Sequence, residues 1–220
     1  MKEISFSPDR KRFLQTAAFV FGTLLLYGFF PQESRLNPTV QSVLLGVILF
    51  LALPFLYGRF ILRQPLSSLG FRAPSRPYGA LAVPLVAIPT VALWFVLLST
   101  FHVERASMLP SAVRASFMFF VLYEVVLVGA IAFLYDVFFR GLVQIVWLRG
   151  YGIWAALAQA GLFVALLGFS AGGIGWTDAP LVLASVASGL VAAYTGTVST
   201  AWMTSWLVLF LSDIITLVVR

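Results

Sequence analysis

The stretch Tyr135-Asp136-Val137-Phe138-Phe139-Arg140-Gly141 closes a long apolar run that begins at Phe117. A carboxylate and a guanidinium four residues apart fall on the same side of a helix and can pair. Everything before them back to Phe117 is uncharged except Glu124. A helix of about 20 apolar residues spans the roughly 30 Å hydrocarbon core of a bilayer. This stretch therefore reads as a membrane crossing that ends in an acid and a base, and the remainder of the chain has to be read against that.

The composition agrees. Of 220 residues, 61% are hydrophobic and 10% charged, and the mean hydropathy is +1.00. A soluble domain of this size carries about a quarter charged residues, so the chain is a polytopic membrane protein. Seven apolar runs are long enough to consider as crossings: Phe13–Phe30, Val40–Leu62, Gly79–Thr100, Phe117–Phe139, Gly152–Phe169, Leu181–Tyr194 and Thr200–Val219. The sixth is short enough to be tilted or partly buried among the others. The first follows Lys2, Arg10, Lys11 and Arg12 but lacks a small-residue cleavage pattern and has six more runs after it, which reads as a retained helix and not a signal peptide. The expectation is one all-α integral membrane domain over 1–220, a bundle of about seven helices.

Basic residues set the orientation, because short loops rich in Lys and Arg stay on the cytoplasmic side. With the N-terminus inside, Lys2, Arg10, Lys11, Arg12, Arg59, Arg63, Arg72, Arg76, Arg140 and Arg149 are cytoplasmic, and Arg35, Arg105, Arg114 and Arg220 are outside. That places ten of the 14 basic residues inside. The net charge of +6 is accounted for by this topology and by attraction to anionic headgroups, so no nucleic-acid partner is expected.

Two connections have the makings of ordered loops: 63–78, with Pro65, Gly70, Pro74 and Pro77, and 168–180, with Gly172, Gly173 and Gly175. The glycines of the second resemble a phosphate loop only superficially, since no strand precedes them and no Gly-Lys-Ser/Thr follows. Pro84 and Pro89 lie inside the third run and predict a bent helix.

The chain has no cysteine and one histidine, His102, which falls in the outer loop between the third and fourth runs. A zinc site with one His and no Cys would be built mostly of carboxylates, which is not how such sites are made, so no metal is expected. Glu124 stands near mid-membrane, where a charge costs on the order of 2.5–3.5 kcal/mol on insertion scales. Thr204, Ser205, Ser212 and Asp213 form a discontinuous polar stripe in the last run and are its candidate partners; small and hydroxyl residues of this kind commonly mediate helix packing.

From about Ala130 to Leu209 the sequence resembles the CAAX protease and bacteriocin-processing family of intramembrane proteases, which includes the type II CAAX prenyl proteases. The family's first motif is Glu-Glu-x-x-x-Arg followed by Gly; Tyr135, Asp136, Arg140 and Gly141 stand at those positions, so the arginine and glycine match and the first glutamate does not. The second, Phe-x-x-x-His, is met by Phe163, with Leu167 in the place of the histidine. The third puts a histidine about nine residues after a Thr-Gly pair and an asparagine four further on. Counting from Thr195-Gly196 places Ser205 and Leu209 there. Upstream, Leu69-Gly70-Phe71-Arg72-Ala73-Pro74 is similar to a short loop of bacterial members.

The resemblance implies a helical core over about 117–219 in a bacterial cytoplasmic membrane. It also implies a chemistry that these residues do not supply. In the family the first glutamate activates water, and the histidines and asparagine position it, bind a metal or stabilise the oxyanion; each version needs a general base and imidazoles converging in one pocket. Tyr135, Leu167, Ser205 and Leu209 are not such a set. Asp136 and Arg140 read as a structural pair that locks the end of the fourth helix to the segment after it. Ser205 as a nucleophile would need a base beside it, with no histidine at hand.

The expected function is thus a non-catalytic pseudoenzyme of that family: a membrane subunit or scaffold that binds a larger integral membrane complex or lipid, with Glu124, Asp136 and Arg140 as structural or partner-binding residues. No cofactor is expected, and a lipid could occupy the inherited scaffold. The alternative is an endopeptidase that processes a peptide or prenylated substrate with Asp136 and Glu124. A transporter element using Glu124 is a third reading, which no internal repeat supports.

Overall fold

A computed structural model describes residues 8–30, 37–74, 78–101, 109–170 and 173–218. Every regular element among them is helical. In chain order the long helices are α1 (Pro8–Gly28), α2 (Val40–Ile61), α3 (Gly79–Thr100), α4 (Phe117–Trp147), α5 (Ile153–Ser170), α6 (Trp176–Thr195) and α7 (Val198–Val218). Six of them, α2 to α7, are long and apolar enough to cross a membrane. α1 is helical as expected but falls outside that set, because its first turns carry Asp9, Arg10, Lys11, Arg12 and Gln15 and dilute the apolar half. The lateral surface is apolar, with Phe60, Leu85, Phe117 and Trp154 all exposed, as a lipid-facing wall requires.

The fourth crossing corrects the sequence reading. It does not stop at Phe139 but continues as one 31-residue helix to Trp147. Over 137–147 it widens to i→i+5 bonding, ending with the Leu148 amide on the Val143 carbonyl at 2.9 Å. Two consequences follow. Asp136 and Arg140 stand inside the helix, with Arg140 about 10 Å of helical rise before its end, so the pair does not lock a helix terminus. And Arg140, 2% exposed, is not a loop cation and drops out of the orientation tally.

α6 is the central helix. It packs against α5, α7, α3 and the wide part of α4, and its window is the most buried of the six, which bears out the expectation of a helix held among the others, although it runs longer than Leu181–Tyr194. Two cores flank it. One joins α1, α2, α4 and α5 through Phe50, Phe138, Phe139, Leu142 and Phe163, with Phe50 and Phe138 ring centroids 4.9 Å apart and Phe139 and Phe163 5.3 Å apart. The other joins α3, α4, α6 and α7 through smaller residues, Ala87, Ala132, Ala184, Ala187 and Val208. Small residues at these crossings let backbones approach, which is where van der Waals attraction between helices in lipid comes from.

Pro84 lies in the first turn of the α-helical part of α3, where a missing amide costs nothing, and Pro89 lies in its interior. The loop after α2 is ordered around a short 3₁₀ turn, Leu66–Leu69, ending at Gly70 with φ +90°. Its carbonyl accepts the Val198 amide at 3.0 Å. This turn lies directly on α4: a Cβ on Gly141 would stand 3.0 Å from the Leu69 carbonyl oxygen. Phe13 of α1 meets Trp147 at the end of α4. The start of α1, the 63–74 loop, the α4–α5 connection and the α6–α7 turn therefore share one end of the bundle, the end that gathers the basic residues. Phe29 meets Phe169 at the opposite end. His102, Arg76, Pro77, Gly172 and the outer Arg35, Arg105 and Arg220 lie outside the described residues.

Candidate functional site

Tyr135, Asp136, Arg140, Phe163, Ser205 and Leu209, drawn from α4, α5 and α7, line one small cavity of about 20 Å³ together with Leu181, Ala184 and Ser185 of α6. The sequence positions singled out from three separate segments thus converge, and Leu167, one turn on from Phe163, packs against the same aromatic core. A space of this size is about that of a single water molecule.

Asp136 is fully buried, with an ion-pair contact at one oxygen and a hydrogen bond at the other. Arg140 Nε stands 2.8 Å from Oδ1, the i,i+4 pairing that the sequence spacing predicted. Ser205 Oγ, from α7, donates to Oδ2. Arg140 then reaches across to α6, where its Nη2 donates to the Ser185 carbonyl at 2.9 Å. One ion pair ties three helices. The segment that Arg140 holds is α6, not the connection that follows α4.

The same carbonyl accepts a second donor, Gln159 Nε2 of α5, at 3.1 Å. One turn further along α6, Gln144 Nε2 of α4 donates to the Gly189 carbonyl at 2.8 Å. Carbonyl oxygens inside a helix keep a second lone pair after their backbone bond, and α6 offers it twice. These glutamines were missed in the sequence because uncharged amides in apolar runs resemble tolerated polar residues; the signal was their placement four residues after Arg140 in one case and four before Phe163 in the other. A further cluster went unread: the Thr200 hydroxyl lies 2.7 Å from that of Thr195 and 2.6 Å from that of Thr197, buried in the α6–α7 turn.

Tyr135, in the place of the family's glutamate, is spent on packing: its hydroxyl is 3.3 Å from that of Tyr27 and its ring is edge-on to Phe163 at 5.3 Å. Glu124 is fully buried, and among the described residues no hydroxyl, amide or cationic side chain donates to its oxygens. Of its expected partners, Asp213 is the one that interacts with it. Thr204 bonds back to the Thr200 carbonyl, Ser205 is committed to Asp136, and the Ser212 hydroxyl is buried without a partner. The link that does join α4 to α7 here is Trp206, whose indole donates to the Glu124 carbonyl at 2.9 Å; Trp202 repeats the bond at the Gly129 carbonyl, also at 2.9 Å. The Glu124 carbonyl accepts the Trp206 bond beside the Gly129 amide of its own helix, through its second lone pair.

Chemically, the cavity holds a carboxylate ion-paired to Arg140, one serine hydroxyl and apolar walls. Among the described residues no three of His, Cys, Asp and Glu converge. Comparison with protein-family models, with curated proteins and with solved structures finds no match, so the family resemblance rests on the quoted residues alone.

Proposed function

We propose that this chain is a non-catalytic membrane protein on a CAAX protease-like scaffold, a subunit or scaffold that binds a larger integral membrane complex or a lipid, oriented with its basic end in the cytoplasm. The observation that carries the reading is the state of Asp136. Its oxygens are occupied by Arg140 and Ser205, and the surrounding space of about 20 Å³ admits no peptide bond. Tyr135, Leu167 and Leu209 stand where the resembled chemistry needs a base, an imidazole and an amide, and none of the three can act in those roles.

The endopeptidase reading has one observation in its favour. Ser205 Oγ donates to a carboxylate, which is how a nucleophile meets its base, and the sequence alone had shown no base near it. Two features weigh against it. Arg140 neutralises that carboxylate, and Glu124, the other acid of that reading, stands twelve residues earlier on the same helix, roughly 18 Å away at 1.5 Å per residue. The test is direct: the purified chain, reconstituted in lipid vesicles, is expected to leave fluorogenic membrane peptides and prenylated tails uncut. Cleavage that disappears in both Asp136→Asn and Ser205→Ala would overturn the non-catalytic reading.

A further inference from the structure

The basic end of the bundle holds a cleft of about 370 Å³ whose polar lining is Ser67, Ser68, Arg72, Gln144 and Arg149, with Gly152 at its edge. It is distinct from the small cavity around Asp136 and more than ten times its volume. Three features of this cleft point to one ligand chemistry.

The first is charge without compensation. Arg72 and Arg149 come from different connections and meet at one opening, and neither is ion-paired among the described residues. No Asp or Glu occurs anywhere in 57–80 or 137–177, nor in the α6–α7 turn, so the segments that line the cleft carry no carboxylate of their own. The second is the opening of α5 at Gly152: the first amides of a helix point their N–H groups outward and carry the positive end of its dipole, an arrangement that favours anions. The third is Gln144. Its side chain is 3% exposed and fixed by the bond from Nε2 to the Gly189 carbonyl, while its Oε1 has no donor among the described residues. A buried acceptor left open is costly unless something donates to it.

Two guanidiniums, the Ser67 hydroxyl and a helix start suit a phosphate oxygen set, whereas the Ser68 hydroxyl is already donated to the Pro65 carbonyl at 2.7 Å; the unpartnered amide oxygen of Gln144 suits a hydroxyl on the same molecule. We propose that this cleft binds the phosphate of a hydroxyl-bearing phosphate ester, with an anionic glycerophospholipid headgroup as the source at the bilayer surface. The inference deepens the scaffold reading by naming a ligand, and it fails separately: a chain without this site can still travel with a protein partner.

The experiment is native mass spectrometry of the full chain in detergent, titrated with phosphatidylglycerol, with phosphatidylcholine and with soluble glycerol 1-phosphate. The account predicts one retained phosphatidylglycerol per chain, and roughly tenfold or greater weakening in Arg72→Gln/Arg149→Gln. Both arginines are exposed, so the variant keeps the fold; an unchanged elution volume and helical circular dichroism check that. Arg59→Gln/Arg63→Gln removes the same charge from the same end outside the cleft and is expected to bind as the parent does. Saturable binding of glycerol 1-phosphate that competes with the lipid would uphold the phosphate site and assign its source to a soluble ester. Equal retention of phosphatidylcholine, equal loss in both double variants, or no loss in either would overturn the proposal.

Discussion

Asp136 is a carboxylate in an apolar interior that owes its place to two donors from two helices, Arg140 on its own helix and Ser205 on α7. Removing one member of a buried pair leaves the other charge uncompensated, at a cost of about 3–5 kcal/mol, whereas replacing both by neutral groups of similar size is often close to neutral. Arg140→Met is therefore expected to lower the detergent-solubilised unfolding midpoint sharply, and Asp136→Asn/Arg140→Met to recover most of the loss, with the six tryptophans serving as the fluorescence probe. Equal destabilisation by the single and the double substitution would mean that the pair does not act as a unit. Trp206 makes a smaller claim. Trp206→Phe keeps the ring and removes the donor to the Glu124 carbonyl, and a loss of about 1 kcal/mol is expected in the same melt.

At the scale of elements, the decisive contact is the 3₁₀ turn Leu66–Leu69 lying on α4 at Gly141. Any side chain there pushes on a backbone carbonyl that cannot rotate away, so Gly141→Ala is expected to cost about 1–3 kcal/mol; a midpoint unchanged from the parent would show that the turn yields. Gly141 and Gly70 were both visible in the sequence as motif glycines, and their proximity was not, because nothing local says that a loop 70 residues upstream packs on α4. The apolar runs themselves were legible from length and hydropathy alone. The end of α4 was not: Arg140 looked like a boundary residue, since a charge in an apolar run usually marks the interface, and it takes the local partner Asp136 together with the tertiary one, the Ser185 carbonyl, for the helix to carry it inward. The i,i+4 spacing foretold the ion pair; the long-range bond from Ser205 had no sequence signal beyond its place in a remote motif.

Across the whole molecule, charge and fold point the same way. Arg10, Lys11, Arg12, Arg59, Arg63, Arg72 and Arg149 collect at one end, and that end is expected in the cytoplasm. A chain with no cysteine offers a clean background for labelling. Gly150→Cys, where a new side chain meets nothing within 4 Å, is expected to react with an impermeant maleimide only from the cytoplasmic face, and Ile174→Cys, exposed at the opposite end, only from outside; the reverse pattern would invert the topology. The central claim, that this scaffold has been turned from chemistry to binding, is tested most directly by gentle extraction of the tagged chain from its native membrane, followed by size separation and mass spectrometry of what travels with it. The account predicts stoichiometric migration with a larger membrane assembly or a retained lipid. Migration as a lipid-free single chain, near its own 24.1 kDa plus detergent, would contradict it.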